Sequence, residues 1–287
     1  MAREIKMILS DLDGTLFDDN NRITDEDIKA LYRAVDAGIP FVPVTARFEN
    51  LARHLIDRLP MAEYVVYCNG GSIFNRKTGE CIYRDEMRHD TLMELYDYFG
   101  TIPCMPAIAI NGVCYIDKAI YEKNISKLPL PRGYDMLIEM SVKTDVKELL
   151  SSEENHVEVI YTIYPDLDIK AEAWKVITAS GELSALGSVP TEHVITNTTA
   201  TKENIILKTD QIFGVDTKDI MAFGDGDNDS DMLRAAGTGV AMANAMPLAL
   251  ESAEFTTLAV WEGGVAHMIN SYLDGKLEGF EYRGKER

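Results

Sequence analysis

The chain is poor in basic residues, cysteine, histidine and tryptophan, and it has no long apolar run. Its 28 Lys and Arg stand against 47 Asp and Glu, a formal charge of −19. That balance repels polyphosphate backbones and anionic lipid surfaces, so neither nucleic acid nor membrane is expected as a partner. No apolar stretch approaches the ~18 residues of a spanning helix. The opening Met1-Ala2-Arg3-Glu4 carries no signal-peptide apolar region, and a cytoplasmic location is expected. Four cysteines (Cys68, Cys81, Cys104, Cys114) lack Cys-x-x-Cys spacing, which favours free thiols over a zinc site or disulfide framework. Five histidines lie scattered without His-x-x-x-His spacing, as core or surface residues rather than metal ligands. There is no internal repeat, low-complexity tract or long linker.

What remains is an ordinary globular composition, 46% hydrophobic and 26% charged over 287 residues, enough for one large or two ordinary domains. Ile5 and Met7 to Leu9 form an apolar run that ends at Ser10-Asp11-Leu12-Asp13-Gly14-Thr15. Its length suits a buried parallel strand, although periodicity alone also fits a buried helix segment. Ligands of open α/β sheets bind beyond the carboxyl ends of strands, which would poise the two aspartates for chemistry. Paired carboxylates can hold a divalent cation, and one can act as a nucleophile. Gly14 suits a tight turn with close backbone approach, and Thr15 can donate to an anion. Plain turn chemistry, a strand followed by a capped turn, is the alternative reading of the same residues.

Thr24 as N-cap with Asp27 in the first turn predicts a helix to about Ala37, stopped by Gly38. Ile39 to Val44 reads as a second strand, Phe48 to Leu59 as a helix, and Ala62 to Tyr67 as a third strand. This alternation predicts an α/β fold built on a doubly wound parallel sheet. A hairpin is expected from Ser72 to Tyr83, turning near Gly79. From Arg84 to Pro190 the texture changes. Asn111-Gly112 between alternating apolar arms marks a hairpin, His156 to Tyr161 reads as a half-buried strand, and Asp166 to Ser180 as a helix. These features suggest an inserted α+β domain with antiparallel strands. From Thr191 the α/β pattern is expected to resume. Strands are read at His193 to Asn197, Ile220 to Phe223 and Thr238 to Met242, with a last edge strand at Phe255 to Thr257. Helices are read at Lys202 to Phe213, Asp229 to Ala236, from Pro247, and at Gly263 to Leu273. The tail after Asp274 is polar and expected to fray.

Three further stretches bear on chemistry. Thr45-Ala46-Arg47 ends the second strand, where a hydroxyl, a backbone N–H and a guanidinium suit a phosphate oxygen; a helix N-cap explains Thr45 equally well. Lys202 sits at a helix start, disfavoured by the helix dipole unless a phosphate lies between it and the N-terminal amides. An exposed lysine is the plain alternative, and Lys208 is a competing candidate. Gly224-Asp225-Gly226-Asp227-Asn228-Asp229-Ser230-Asp231 places four aspartates in seven positions, a repulsion that a cation would relieve. It is not an EF-hand, since Ser230 stands where that loop needs Gly and Ala236 where it needs Glu.

Asp11-x-Asp13-Gly14-Thr15, Thr45, Lys202 and Gly224-Asp225-Gly226-x-Asn228-Asp229-x-x-Met232, in this order, resemble the four motifs of the haloacid dehalogenase-like (HAD) phosphohydrolases, Cof-like class IIB. The match departs at Ala46 and Glu203, where glycine is usual. Asn69-Gly70-Gly71 is similar to a turn those proteins carry after the third strand. The resemblance implies a Rossmann-like core, 1–83 and 191–287, with a specificity cap inserted at 84–190. It implies Asp11 as nucleophile and Asp13 as general acid/base. Leu12, Thr45, Ala46, Lys202 and Asn228 would bind phosphate. Mg²⁺ would be held by Asp11, Asp13 through its backbone carbonyl, and Asp225, with Asp229 in support. Asp227 and Asp231 are expected to face solvent or cap. The implied activity is phosphatase action on a small phosphorylated metabolite, a sugar phosphate foremost, with nucleotides, phosphoglycolate and pyridoxal phosphate as other candidates. A phosphomutase, or a phosphate- or metal-binding regulator without turnover, would share these motifs.

Overall fold

The computed structural model describes residues 4–131, 133–152, 154–187, 189–276 and 281–282. In chain order the first elements are β1 (Met7–Ser10), α1 (Asp25–Asp36), β2 (Phe41–Pro43), α2 (Glu49–Ile56), β3 (Tyr64–Tyr67), β4 (Ser72–Asn75) and β5 (Cys81–Arg84). Then come α3 (His89–Thr101), β6 (Met105–Ile110), β7 (Val113–Asp117), α4 (Lys118–Asn124), α5 (Tyr134–Met140), β8 (Val142–Thr144), α6 (Val146–Leu150), β9 (Val157–Ile163), α7 (Leu167–Ile177), β10 (Leu183–Leu186) and β11 (Glu192–Asn197). The chain ends with α8 (Lys202–Phe213), β12 (Ile220–Gly224), α9 (Ser230–Ala235), β13 (Thr238–Ala241), α10 (Pro247–Ser252), β14 (Phe255–Thr256), α11 (Gly264–Leu273) and β15 (Glu281–Tyr282). These group into two compact units: Met1–Ala46, His54–Tyr83 and Thr201–Arg287 form the first, Arg47–Arg53 and Arg84–Ala200 the second.

The first unit is built on a sheet of order β15-β14-β13-β12-β1-β2, parallel except for β15. Its central strands are apolar on both faces, as a doubly covered parallel sheet requires. Leu9, Val42 and Ile220 share a core with Ile205 and Ile206 of α8 and Met232 and Leu233 of α9. Alternate residues Ile8, Phe41 and Phe223 are equally buried. On the other side α1 and α11 pack on each other. Asp27 joins them: its carboxylate accepts from Thr24 Oγ1 at 2.6 Å and from the Ala266 N–H at 2.7 Å.

Two expectations for this unit are corrected. The third strand, β3, touches the parallel sheet only through one bridge, Val44 to Val66, and otherwise pairs antiparallel with β4. The stretch read as an edge strand, β14, is covered by β15 at 281–282, in the tail expected to fray; the tail's residues 277–280 and 283–287 lie outside those described.

The second unit carries a sheet of order β10-β11-β9-β6-β7-β8, antiparallel except between β7 and β8. The Asn111-Gly112 hairpin has both residues in left-handed conformation, as its tight turn demands. Leu95 and Phe99 of α3, Leu150 of α6 and Ala173 and Ile177 of α7 close a core over Ile108, Ile160 and Ile195. The strand expected at His193 to Asn197 exists, but it pairs antiparallel with β9 and β10 in this sheet. The α/β pattern therefore resumes after Ala200 rather than at Thr191. Its polar residues His193 and Thr196 among apolar ones mark an antiparallel strand, in contrast with the unbroken Ile220 to Phe223. The strand read as half-buried at His156 to Tyr161 begins at Val157, and β9 is buried throughout, because it lies inside the sheet and Phe48 packs edge-on over Tyr161.

Candidate active site

β1 lies between β2 and β12, so the residues following β1 and β12 emerge side by side at the carboxyl edge of the sheet. The ladder continues one step past β1, the Asp11 N–H donating to the Phe223 carbonyl at 3.0 Å. The chain then turns sharply. The Leu12 carbonyl accepts from the N–H groups of Leu16 and Phe17, and Gly14 adopts φ +86°. A side chain on Gly14 would collide with the Asp225 carboxylate, so glycine is required by contact as well as by conformation. The anion that Thr15 serves is Asp225 itself: Thr15 Oγ1 donates to Asp225 Oδ1 at 2.8 Å.

Lys202 is the largest departure from a surface reading. It opens α8, behind the N-cap Thr201, and is completely buried. Its ammonium donates to Asp11 Oδ1 at 2.5 Å and Asp229 Oδ1 at 2.6 Å. The opposing helix dipole is outweighed by two carboxylates in direct contact, each worth far more than a terminal dipole charge. The other Asp229 oxygen accepts from the N–H groups of Asp225 and Gly226, which locks the loop after β12. Lys208, the competing lysine, instead donates to Tyr83 Oη at 2.5 Å over the ring.

The electrostatics favour a cation. Asp11, Asp225 and Asp229 each offer an oxygen within 4.8 Å of the others. Burial pushes the Asp11 carboxyl well above the ordinary range; Lys202 pulls it back, while Asp229, Asp13 and Asp225 push it further up. Asp225 is raised to about 6, first by burial and then by its carboxylate neighbours, against the Thr15 hydrogen bond. Burial disfavours the Lys202 ammonium, but Asp11 and Asp229 outweigh that and hold it firmly protonated. Lys202 supplies a single positive charge against three clustered carboxylates, so a divalent cation suits this donor set.

The remaining predicted residues fall as follows. Asp13 is exposed, beside the cluster rather than in it, and the cation role expected of it was through the main chain. Thr45 is fully buried at the end of β2, its N–H donating to the Val66 carbonyl at 2.9 Å. Ala46 closes a stretch of the first unit and Arg47 opens the second. Asn228 is exposed, its Nδ2 donating to Asn69 Oδ1 at 3.1 Å. Asp227 is exposed, and Asp231 is paired with Arg234. The sequence reading missed Asn244. Its Nδ2 donates to the Gly14 carbonyl and its Oδ1 accepts from Val260, both at 2.8 Å, pinning the turn after β1 to the loop after β13. The one available signal was an asparagine between a strand and a Pro-initiated helix, which is ordinary turn chemistry.

A family profile described as haloacid dehalogenase-like hydrolase matches residues 8–269. The chain is 29% identical over 296 residues to the 5-amino-6-(5-phospho-D-ribitylamino)uracil phosphatase YwtE of Bacillus subtilis, matched over 95% of this chain and 99% of YwtE. It is 27% identical to the phosphatase YcsE of the same organism, named for the same substrate, over 94% and 96% of the two chains. Among solved structures it is similar to BT1666 from Bacteroides thetaiotaomicron, with TM-score 0.77 and 23% identity over 94% and 96%.

Proposed function

Because the chain belongs to the haloacid dehalogenase-like hydrolase family, we propose that it is a magnesium-dependent phosphatase of a small phosphorylated metabolite. The observation that carries this is the buried Asp11–Lys202–Asp229 contact with Asp225 beside it, at the edge of the sheet where β1 and β12 end. Asp11 is the nucleophile. One of its oxygens attacks phosphorus, the ester P–O bond breaks, and the leaving alkoxide takes a proton from Asp13. In the second step Asp13 removes a proton from water as the water attacks the aspartyl-phosphate, releasing inorganic phosphate and restoring Asp11. An exposed Asp13 can exchange protons with solvent between turnovers, which suits both roles. Lys202 fixes Asp11 Oδ1 and favours the charged form of the attacking carboxylate. Lys202, Thr45, Asn228 and the N–H groups of Leu12 and Ala46 are the donors available to the phosphoryl oxygens. The Asp11 carboxylate, the Asp13 carbonyl and Asp225 would hold Mg²⁺, supported by Asp229. Once bound it supplies positive charge to the transferring phosphoryl group.

The second unit carries none of these acids and is the source of substrate selection. Two relatives are named for a phosphate on a ribityl chain, and a sugar or polyol phosphate is accordingly the first class to try. The cysteines among the described residues form no disulfide, and three of them are buried, which supports work in the reducing cytoplasm. The test is phosphate release from p-nitrophenyl phosphate and a sugar-phosphate panel, with and without Mg²⁺. Turnover should require the metal and fall at least about a thousandfold in Asp11→Asn. Activity indifferent to Asp11 would overturn the assignment.

A further inference from the structure

After β3 the chain makes a 3₁₀ turn, Cys68–Gly70, whose three residues all have positive φ: 55°, 56° and 108°. Asparagine and glycine tolerate this region, but Cys68 does not gain from it, so the turn stores conformational cost. Strain of this kind persists only where surroundings over-determine the backbone, and here the surroundings are the segments that carry the donors assigned to phosphate. The Asn69 N–H donates to the Thr45 carbonyl at 2.9 Å. Asn69 Oδ1 accepts from Asn228 Nδ2 at 3.1 Å. Gly70 lies so close to the carbonyl of Thr201, the residue before Lys202, that a Cβ there would approach it to 2.6 Å. One turn thus abuts all three segments that carry Thr45, Asn228 and Lys202.

We infer that Asn69 is a positioning residue of the phosphate site, holding one N–H of the Asn228 amide so that the other is aimed at a phosphoryl oxygen. An exposed asparagine side chain otherwise samples several rotamers, and freezing it in advance removes that entropy from substrate binding. The inference rests on the phosphatase assignment and extends it to a residue that touches no reacting atom. The backbone tie to Thr45 and the side-chain tie to Asn228 are separable, because glycine keeps the left-handed backbone and its N–H but not the acceptor.

The experiment is a double-mutant cycle with Asn69→Gly and Asn228→Ala, read by kcat/KM for p-nitrophenyl phosphate and by inorganic phosphate affinity in calorimetry. Asn69→Gly should lower both about tenfold in the wild-type background and leave both unchanged when Asn228 is already alanine. Asn69→Asp keeps the acceptor and the left-handed tolerance; whatever its added charge costs should persist in the Asn228→Ala background. A general loss of folded protein would lower activity by the same factor in both backgrounds. An equal Asn69→Gly effect in the two, or none, overturns the positioning role while leaving the phosphatase assignment standing. Wild-type protein as inactive as Asp11→Asn and without affinity for phosphate overturns both.

Discussion

At the level of single residues, the site depends on contacts too close to tolerate change. Gly14→Ala would place a methyl group against the Asp225 carboxylate at a φ that alanine resists. The expected outcome is about 2 kcal/mol of destabilisation or more, read by urea unfolding, together with loss of metal-dependent turnover. A variant of wild-type stability and activity would show that the turn has room it does not display. Lys202→Met tests the opposite hazard, because Asp11 and Asp229 would be left buried without their cation. Removing one partner of such a cluster costs on the order of 3–5 kcal/mol. Added Mg²⁺ should restore part of that stability in thermal melts, and a variant indifferent to the metal would argue against a cation among these acids. Asp11, Asp225 and Lys202, which the structure brings together, could be picked out as candidates because acids crowded at strand ends, and a lysine at a helix start, are conspicuous in sequence. Asn69 and Asn244 were not legible as ties. A loop asparagine is common, and its partners, Thr45 and Asn228 in one case and Gly14 and Val260 in the other, lie far away along the chain.

Among the elements, the strands and helices of the first unit were readable because each states its environment locally. Thr24 caps α1 as the sequence implies, and the helix from Lys202 to Phe213 has the predicted bounds. The sequence did not reveal which sheet a strand joins. β11 was placed by its position after the irregular stretch, yet its pairing with β9 and β10 depends on partners that local pattern does not name. β15 escaped for a related reason, since two residues in a polar tail carry no period. The link between α1 and α11 shows what such long-range pairing is worth. Asp27→Ala removes the acceptor for the Ala266 N–H and for the Thr24 hydroxyl, both enclosed where α1 meets α11. The expected cost is about 2–3 kcal/mol, measured by denaturant midpoint at neutral pH. A loss below about 0.5 kcal/mol, the range of an ordinary surface change, would mean that water takes over the acceptor role.

Across the whole molecule the two units differ in how their buried ionisable groups meet pH, and the second unit offers a measurable case. Burial raises Glu158 from 4.5 to about 7 even though Arg84 donates to it at 2.6 Å and pulls the other way. Burial, then Lys170, lowers His193 from 6.5 to about 4, beside the Tyr164 hydroxyl. The folded Glu158 holds a proton that the unfolded chain has released between pH 4.5 and 7, so its share of stability falls as pH rises through that window. The folded His193 lacks a proton that the unfolded chain binds between pH 4 and 6.5, so its share rises with pH. Each slope amounts to about 3 kcal/mol at most, and over the shared interval they oppose each other. Glu158→Gln should therefore leave a second unit that gains stability from pH 4 to 6.5, and His193→Gln one that loses it from pH 4.5 to 7. Trp174 lies in this unit and Trp261 in the other, and they are the chain's two tryptophans. In a Trp261→Phe background, Trp174 fluorescence during urea unfolding reports the second unit directly. The quantity to compare is the stability difference between each variant and its parent, plotted against pH. Curves of opposite slope would establish the two compensating groups, whereas flat or parallel curves would mean that neither is held away from its ordinary titration range in the folded protein.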